Sequence, residues 1–218
     1  MMEELFGTLT QKVIAADREG LNQMVQEALA KGISAKDLLD KGLLPGMDAV
    51  GQRMKKGEMF IPEVLQSARA MQGAISILQP HMSQKDRLGL GTVVIGTVQG
   101  DLHDIGKNLV AMMLKGGGFN VVDLGTDIKP QEYVEAVRTH KPIIVGMSAL
   151  LTTTMPRMKE TIDSLKEAGL RDKVKVMAGG APVNEKFVKD IGGDAYAPNA
   201  ATAVETAKKI MKGSSVKH

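Results

Sequence analysis

The stretch that decides the fold is an apolar run that leads through a polar loop into a helical pattern. The run is Thr92-Val93-Val94-Ile95-Gly96-Thr97-Val98, and the loop and helix start are Gly100-Asp101-Leu102-His103-Asp104-Ile105-Gly106-Lys107-Asn108. Such a run is typical of a buried strand, so His103 lies at a strand-to-helix turn. Imidazole is a good ligand for transition metals, and a neighbouring carboxylate can hold its second nitrogen. His103 is therefore a candidate metal ligand.

The chain after residue 91 repeats this strand-to-helix alternation. The predicted strands are Thr92–Val98, Asn120–Leu124, Ile143–Met147, Lys173–Ala178 and a short one at Ala195–Tyr196, and the predicted helices lie near 105–116, 131–140, 155–168, 184–191 and 200–212. Alternation of this kind predicts a parallel sheet with helices on both faces. We expect residues 91–218 to form an α/β Rossmann-like (flavodoxin-like) domain with a five-stranded parallel sheet.

Residues 1–82 have a different pattern, with helical spacing and no convincing strand. Ser34 followed by Asp37 is a helix N-cap signal, and Pro62 stands where the first turn of a helix tolerates proline. These features predict an N-terminal all-α helical bundle of four or five helices over 1–82. A polar, aperiodic linker is expected at 83–90.

Composition excludes several classes of protein. The 218 residues include no Cys, and the formal net charge is +3. The lack of Cys excludes disulfides, thiolate metal sites and cysteine nucleophiles, and it suits a reducing, cytoplasmic location. No segment approaches the roughly 18 apolar residues of a membrane helix, and the lysines form no dense basic stripe. We therefore expect neither a membrane nor a nucleic acid as a partner.

Three unusual segments follow predicted strands and should converge on one edge of the sheet. They are Asp101–Asp104, Ser148–Thr154 and Gly179-Gly180-Ala181-Pro182. Open parallel sheets bind ligands beyond the carboxyl ends of their strands. Paired glycines would let a flat or elongated ligand approach the backbone. Ser148 could donate a hydrogen bond to Asp101, which could in turn accept one from His103.

Other kinds of site fit poorly. A hydrolase would want a Gly-x-Ser-x-Gly elbow, and a dinucleotide site would want Gly-x-Gly-x-x-Gly after the first strand. A P-loop is broken by Asn108, and a phosphoacceptor domain would need an aspartate where Ser148 stands. The four histidines show no ligand spacing, so a metal at His103 would bring its other ligands with it. The structural alternative is a histidine that only completes a turn. The neighbouring Asp101, the loop with Ser148 and the glycine pair disfavour it.

The ordered motifs Asp101-x-His103-x-x-Gly106, Ser148-x-Leu150 and Gly179-Gly180 resemble the signature of cobalamin-binding domains that hold the cofactor base-off and His-on. The segments 57–64 and 67–71 resemble the helical cap before that domain in methionine synthase and in the small corrinoid proteins of methyltransferase systems. Residues 196–200 resemble the family's last strand-to-helix turn. The resemblance runs from about residue 3 to residue 212. The chain resembles a stand-alone corrinoid protein more than methionine synthase.

The resemblance implies a role for each matched residue. His103 would be the lower axial ligand of cobalt, and Asp101 and Ser148 would form a relay that adjusts it. The corrinoid would also touch three groups of residues. These are the loop residues Gly100, Leu102, Asp104 and Gly106, the tail-slot residues Ser148, Leu150, Thr152, Gly179, Gly180 and Ala200, and the cap residues Met59, Phe60 and Val64.

The family also implies a function, that of a methyl carrier. A cobalamin or related corrinoid, alternating between methylcobalamin and cob(I)alamin, would take a methyl group from a substrate:corrinoid methyltransferase. It would deliver the methyl group to a corrinoid:tetrahydrofolate or corrinoid:thiol methyltransferase, and a reductive activase would be a further partner. Such a protein is not expected to be active as an enzyme alone.

Two other functions stay open at this stage. One is a cobalamin-sensing regulatory module, and the other is the cobalamin-binding subunit of an adenosylcobalamin mutase. No basic recognition helix is visible in residues 1–90, and Phe60-Ile61-Pro62 resembles the methyl-transfer cap. The methyl donor, whether methanol, a methylamine, a methoxyaromatic or a betaine, is not readable from the sequence.

Overall fold

The structure, a computed structural model, describes residues 2–82 and 90–214. It divides into two compact units. One unit holds the helices before residue 82 together with Met112–Gly118, and the other holds Leu90–Ala111 and the chain from Phe119 onward. Met112–Gly118 thus lies in the first unit, although it is distant in sequence from the rest of that unit. Residues 83–89 of the expected linker lie outside the described residues.

The first unit confirms the prediction of an N-terminal helical part. Its helices are α1 (Met2–Ile14), α2 (Arg18–Ala30), α3 (Ala35–Asp37), α4 (Leu44–Lys55) and α5 (Ile61–Leu78), with a π-helical stretch at Leu38–Leu43 and a 3₁₀ turn at Gln79–His81. The predicted cap at Ser34 is formed, because its hydroxyl accepts from the Asp37 N–H at 3.0 Å. Pro62 lies in the first turn of α5.

The second unit is a parallel sheet with intervening helices. The strands are β1 (Thr92–Thr97), β2 (Asn120–Asp123), β3 (Ile144–Ser148), β4 (Lys175–Gly179) and β5 (Ala195–Tyr196). The helices are α6 (Ile105–Gly116), α7 (Pro130–His140), α8 (Pro156–Glu167), α9 (Glu185–Asp190) and α10 (Ala200–Ser214), with a 3₁₀ turn at Arg171–Lys173. The residues of α6 from Met112 onward are grouped with the first unit. Every pairing is parallel and the strand order is β2-β1-β3-β4-β5, so the predicted five-stranded flavodoxin-like sheet is confirmed.

One face of the sheet carries an apolar core. Val94, Val145 and Val176, one from each central strand, are fully buried. Covering helices contribute Tyr133, Ile162 and Leu165, which are also fully buried. Full burial of an aliphatic side chain of this size is worth about 1.5–3 kcal/mol each, so this core fixes the strands.

The strand register brings three loops to the same level. Thr97, Ser148 and Gly179 are aligned partners at the carboxyl ends of β1, β3 and β4. The order of connection reverses between β1 and β3, and open α/β sheets bind ligands in the crevice at that point. The loops that follow β1 and β3 are therefore the ones to inspect for a site.

Candidate functional site

Hydrogen bonds to backbone carbonyls of the same segment fix the conformation of the loop after β1. The buried Thr97 hydroxyl donates to the carbonyl of His103 at 2.8 Å, and the Asp101 N–H donates to the Val98 carbonyl at 3.1 Å. Gly100 has a φ of +81°, which glycine adopts without steric cost. The turn buries Asp101 completely and leaves His103 half exposed.

Asp127, which the sequence analysis missed, holds this loop from the side of β2. Its carboxylate accepts from the Gly100 N–H at 2.7 Å, and its own N–H donates to the Asp101 carbonyl at 3.0 Å. Its φ of +58° is unusual for a residue with a Cβ and costs about 1–2 kcal/mol. Aspartate and asparagine tolerate that conformation better than most residues, and the Asp127 carboxylate also offers the acceptor for Gly100. The two hydrogen bonds therefore offset the strain.

Asp101 is the centre of the site. Its Oδ1 accepts from the His103 backbone N–H at 3.1 Å and lies 2.7 Å from the His103 Nδ1. Its Oδ2 accepts from the N–H groups of Leu150 at 2.7 Å and Leu151 at 3.3 Å, and from the Thr154 hydroxyl at 2.9 Å. The carboxyl group thus ties the loop after β1 to the turn after β3.

These hydrogen bonds keep Asp101 ionised. Burial by itself raises the pKa of the carboxyl, but the donors from Leu150, His103 and Thr154 outweigh it and hold the pKa of Asp101 well below its usual range. An ionised carboxylate only accepts, so the proton of a neutral imidazole belongs on Nδ1. The lone pair of the His103 Nε2 is then available to a metal, and the side chain is half exposed.

The contact predicted for Ser148 is corrected by the structure. Among the described residues, Asp101 takes its hydroxyl donor from Thr154 and not from Ser148. Ser148 is the last residue of β3, whereas the donors to Oδ2 all come from the turn that follows it. The sequence offered Thr154 only as one of three adjacent threonines, and its turn geometry was needed to single it out.

Large apolar side chains are exposed on the same two loops. Leu102 and Ile105 are 73% and 83% exposed, and Leu150 and Leu151 are 42% and 41% exposed. We call these four residues the apolar collar. Contiguous exposed apolar groups usually mark a binding surface, and this one suits the broad face of a macrocycle. A Cβ on Gly106 would meet no atom within 4 Å, so there is open space at the start of α6. The residues therefore fit a corrinoid.

The glycine pair after β4 has a different explanation from the predicted one. A Cβ on Gly180 would lie 1.9 Å from the Ala149 carbonyl oxygen, and a Cβ on Gly179 would lie 2.6 Å from the Ala197 carbonyl oxygen. Gly180 also has a φ of +128°. The pair is therefore required by the close approach of neighbouring loops of this chain, and it does not by itself indicate a ligand.

Some predicted contact residues are buried. Ala200, at the start of α10, is 3% exposed, and Val64 and Met59 of the first unit are 0% and 8% exposed. Val64 belongs to the buried stripe of α5, which explains its apolar character without a ligand. Phe60 is the exception, with 68% of its surface exposed. Asp104 and Thr152 are exposed, and Asp104 accepts from Asn108 through both its carbonyl and its carboxylate.

Lys107 is a further residue that sequence reasoning missed. Its Nζ is buried and lies 2.7 Å and 2.6 Å from the two carboxylate oxygens of Asp123, and 2.6 Å from the Asn108 Oδ1. The ion pair fixes the first turn of α6 to the end of β2. It therefore fixes the far end of the loop that carries His103.

Two further observations concern the described residues, 2–82 and 90–214. They contain no group of three or more His, Cys, Asp or Glu side chains arranged to hold a metal ion. No helix among them combines the length and apolar character of a membrane span.

Two family models match this chain. A family model described as a B12 binding domain matches residues 91–207, and a second with the same description matches residues 5–79. Trimethylamine corrinoid protein 2 of Methanosarcina mazei is 42% identical over 212 residues, covering 96% of this chain and 97% of that protein.

Two solved structures are similar in fold and in sequence. A cobalamin-binding protein from Desulfitobacterium hafniense matches with a TM-score of 0.79 and 36% identity, over 94% of this chain and 98% of that one. A chain of the methanol:cobalamin methyltransferase complex of Methanosarcina barkeri matches with a TM-score of 0.85 and 36% identity, over 96% of this chain and 80% of that one.

Proposed function

Because this chain belongs to the family of corrinoid proteins with a B12 binding domain, we propose that it carries methyl groups on the cobalt of a bound cobalamin or related corrinoid. The observation that carries the proposal is the pairing of a buried, ionised Asp101 with a half-exposed His103 at the point where strand order reverses. That pairing presents one nitrogen ligand and holds it in one orientation.

When bound, the corrinoid supplies a cobalt centre that accepts and releases the methyl group. The residues of this chain hold and orient that centre. His103 would provide a nitrogen ligand to the cobalt, and Asp101 would keep the proton on Nδ1 so that Nε2 is available to the metal. The exposed side chains of the apolar collar would pack against the macrocycle and exclude water from that contact. We also propose that Ser148, Leu150, Thr152 and the glycine pair line the tail slot, the part of the site that would hold the nucleotide tail of the corrinoid.

The partners follow from the carrier role. The Methanosarcina barkeri relative was solved as part of a methanol:cobalamin methyltransferase complex, which supports a substrate:corrinoid methyltransferase as the first partner of this chain. We place a corrinoid:tetrahydrofolate or corrinoid:thiol methyltransferase and a reductive activase as further partners. The cysteine-free sequence of this chain supports a cytoplasmic location for it.

The methyl donor is best sought among methylated amines. The relatives include trimethylamine and monomethylamine corrinoid proteins, each 42% identical to this chain. Equal identity does not separate the two amines, so an assay with both donors and their methyltransferases decides between them. The regulatory alternative is not favoured, because these relatives cover 96% of the chain.

The test is reconstitution with cobalamin, followed by absorbance spectra of the wild type, His103→Ala and His140→Ala. The wild type and His140→Ala should give the same spectrum of His-ligated cobalamin. His103→Ala should lose that spectrum or most of its bound corrinoid. His140 is an exposed residue at the end of α7 and serves as the matched control. Coinciding spectra of the wild type and His103→Ala would contradict the axial role.

A further inference from the structure

We propose that the second unit carries a binding site for a small organic anion with an apolar body, of the class of medium-chain carboxylates. The site is a pocket between the end of α7 and the segment that joins α8 to β4. It goes beyond the proposed function, and neither its geometry nor its main test depends on a corrinoid.

The pocket lies at the amino-terminal edge of the sheet. Among its lining residues, Pro142 lies two residues before the start of β3, and Val174 directly precedes β4. The His103 loop follows the carboxyl end of β1, so the length of a strand, about 15 Å, separates the two places. A ligand in the pocket would therefore leave the His103 loop accessible.

The floor of the pocket is apolar and preformed. The pocket has a volume of about 390 Å³, which is within the range of small-molecule sites. Val137, Leu170 and Val174 line it and are buried. Backbone hydrogen bonds fix both sides, since the Lys141 N–H donates to the Val137 carbonyl at 3.0 Å. On the other side, the Lys173 N–H donates to the Leu170 carbonyl, also at 3.0 Å. A preformed pocket loses little free energy to rearrangement when a ligand binds.

The rim of the pocket is cationic. It is formed by Arg138, Lys141 and Lys173, and no acidic side chain of the described residues lines the pocket. Arg138 forms an ion pair with Glu135 at 2.6 Å, whereas neither lysine forms an ion pair with a described residue. Two such ammonium groups beside an apolar floor favour an anion over a neutral or cationic ligand.

Lys141 holds its charge at this rim in spite of an unfavourable backbone conformation. It follows α7 with a φ of +45° and a ψ of +53°, the left-handed region in which glycine is the usual residue at a helix end. Attraction to the helix dipole also favours a cation there, but at an exposed site it is smaller than the cost of the left-handed conformation. The helix alone therefore does not account for the lysine, whereas an anionic ligand does.

The surroundings of the pocket suit a small molecule better than a partner protein. None of the large exposed apolar side chains of the described residues lines it, because they are Met2, Phe60, Ile61 and the apolar collar. A stable protein interface covers about 800 Å² on each partner and has an apolar centre. Here the apolar surface is confined to the floor, so one compact ligand would cover it.

The test is a titration of the full chain with octanoate, followed by amide chemical shifts in ¹H–¹⁵N spectra. Octanoate should bind and shift the amides at 137–141 and 170–174. Acetate has the charge without the apolar body, octanol has the body without the charge, and octylammonium has the body with the opposite charge. Each should bind at least about tenfold more weakly than octanoate, since each lacks one of the two kinds of contact.

Variants of the two lysines show whether the rim selects the anion. Lys141→Asn removes the charge and keeps a residue that tolerates the left-handed conformation, and Lys173→Gln removes the second charge. Each should weaken octanoate binding about tenfold, whereas Lys141→Arg, which keeps the charge, should bind octanoate as the wild type does. Lys186→Gln is the matched control, because Lys186 is exposed and pairs with Asp190 in the same unit.

Several results would overturn the proposal. They are octanoate binding that is unchanged in both Lys141→Asn and Lys173→Gln, and octanol binding as tight as that of octanoate. Shifts confined to 100–106 and 148–154 would place octanoate on the apolar collar instead. A concentration-dependent dimer that Lys141→Asn abolishes would assign the pocket to a second copy of this chain. Octanoate affinity should be the same with and without cobalamin, and competition between the two would contradict a separate site.

Discussion

Asp101 makes the protein sensitive to acid at the scale of a single residue. Its pKa in the folded protein lies below the ordinary value, so its charge stabilises the fold above about pH 4 and that stabilisation is lost as the pH falls. Asp101→Asn should lower the free energy of unfolding by about 2–4 kcal/mol at neutral pH, because buried donors lose their charged acceptor. The difference from the wild type should shrink below about pH 4.

Denaturant unfolding at a series of pH values measures this difference. Asp190→Asn is the control, because Asp190 forms an exposed ion pair with Lys186 in the same unit. It should change the free energy of unfolding by under about 1 kcal/mol. A difference between wild type and Asp101→Asn that stays constant down to about pH 3 would contradict an ionised Asp101.

Two glycines near the site should respond in opposite ways to the addition of one methyl group. Gly180→Ala should destabilise the fold by about 3 kcal/mol, because its Cβ would meet the Ala149 carbonyl at 1.9 Å. Gly106→Ala should leave stability unchanged or raise it by up to about 1 kcal/mol, because its Cβ meets open space in a helix. Thermal unfolding measures both.

Corrinoid affinity separates the two glycines further. Gly106→Ala should weaken corrinoid binding in spite of its stability, because the added methyl group would enter the space beside the apolar collar. A Gly106→Ala protein that binds cobalamin as tightly as the wild type would show that the ligand does not use this space. The pair therefore distinguishes a glycine required by the fold from one required by a ligand.

At the scale of elements, the ion pair between Lys107 and Asp123 links α6 to β2. Removing the lysine charge and removing the aspartate charge should lower the free energy of unfolding by different amounts. The lysine side chain is 2% exposed and the aspartate 31%. Asp123→Asn leaves a buried cation without a charged partner and should cost about 3–5 kcal/mol. Lys107→Met leaves a carboxylate that water reaches, so it should cost less than Asp123→Asn does.

Denaturant unfolding of both variants checks the order. The double variant Lys107→Met/Asp123→Asn should recover part of the loss, since neither charge is then left alone. Equal costs for the two single variants would show that the pair is solvated to the same degree at both ends.

The elements themselves were largely predictable from the sequence. β1 follows from its apolar run, and α7, with Pro130 in its first turn, follows from helical spacing. The π-helical stretch at Leu38–Leu43 was not predictable, because its apolar spacing is compatible with an ordinary helix and the distinction is one of backbone hydrogen bonding. The burial of Lys107 was not predictable either, since a lysine near the start of a helix is usually exposed.

The chemistry of the site was predictable from the sequence, whereas its hydrogen-bond partners were predictable only in part. His103 and Asp101 lie as the motif indicates, because an aspartate two residues before a histidine can close a turn onto it. The choice of Thr154 over Ser148 depends on which residues of the turn after β3 face Oδ2, and no local pattern encodes that. The strain at Asp127 likewise arises from a contact between two distant loops.

At the scale of the whole molecule, corrinoid binding should protect separate parts of the chain from hydrogen exchange. Amides at 100–106, 148–154 and 179–182 should exchange more slowly in the presence of cobalamin, because a ligand stabilises the states that bind it. His103→Ala is the control, and it should show much weaker protection. Unchanged exchange at 100–106 in the wild type would contradict the site.

The same measurement decides the predicted role of the first unit. Protection around Phe60, which is 68% exposed, would support its contact with the corrinoid. Protection limited to the second unit would assign Phe60 to another role. Met59 and Val64 are buried, so changes at their amides would report the stability of the bundle.

The crowding at Gly180 has a consequence for how such sequences diverge. A descendant of this chain that lost the corrinoid could replace His103 at the cost of its hydrogen bond with Asp101, since the histidine side chain is half exposed. It would still have to keep Gly180, because the Ala149 carbonyl would remain in the way. In sequence searches, a conserved glycine pair is therefore evidence of common descent, whereas a conserved histidine is evidence of a functional cofactor site.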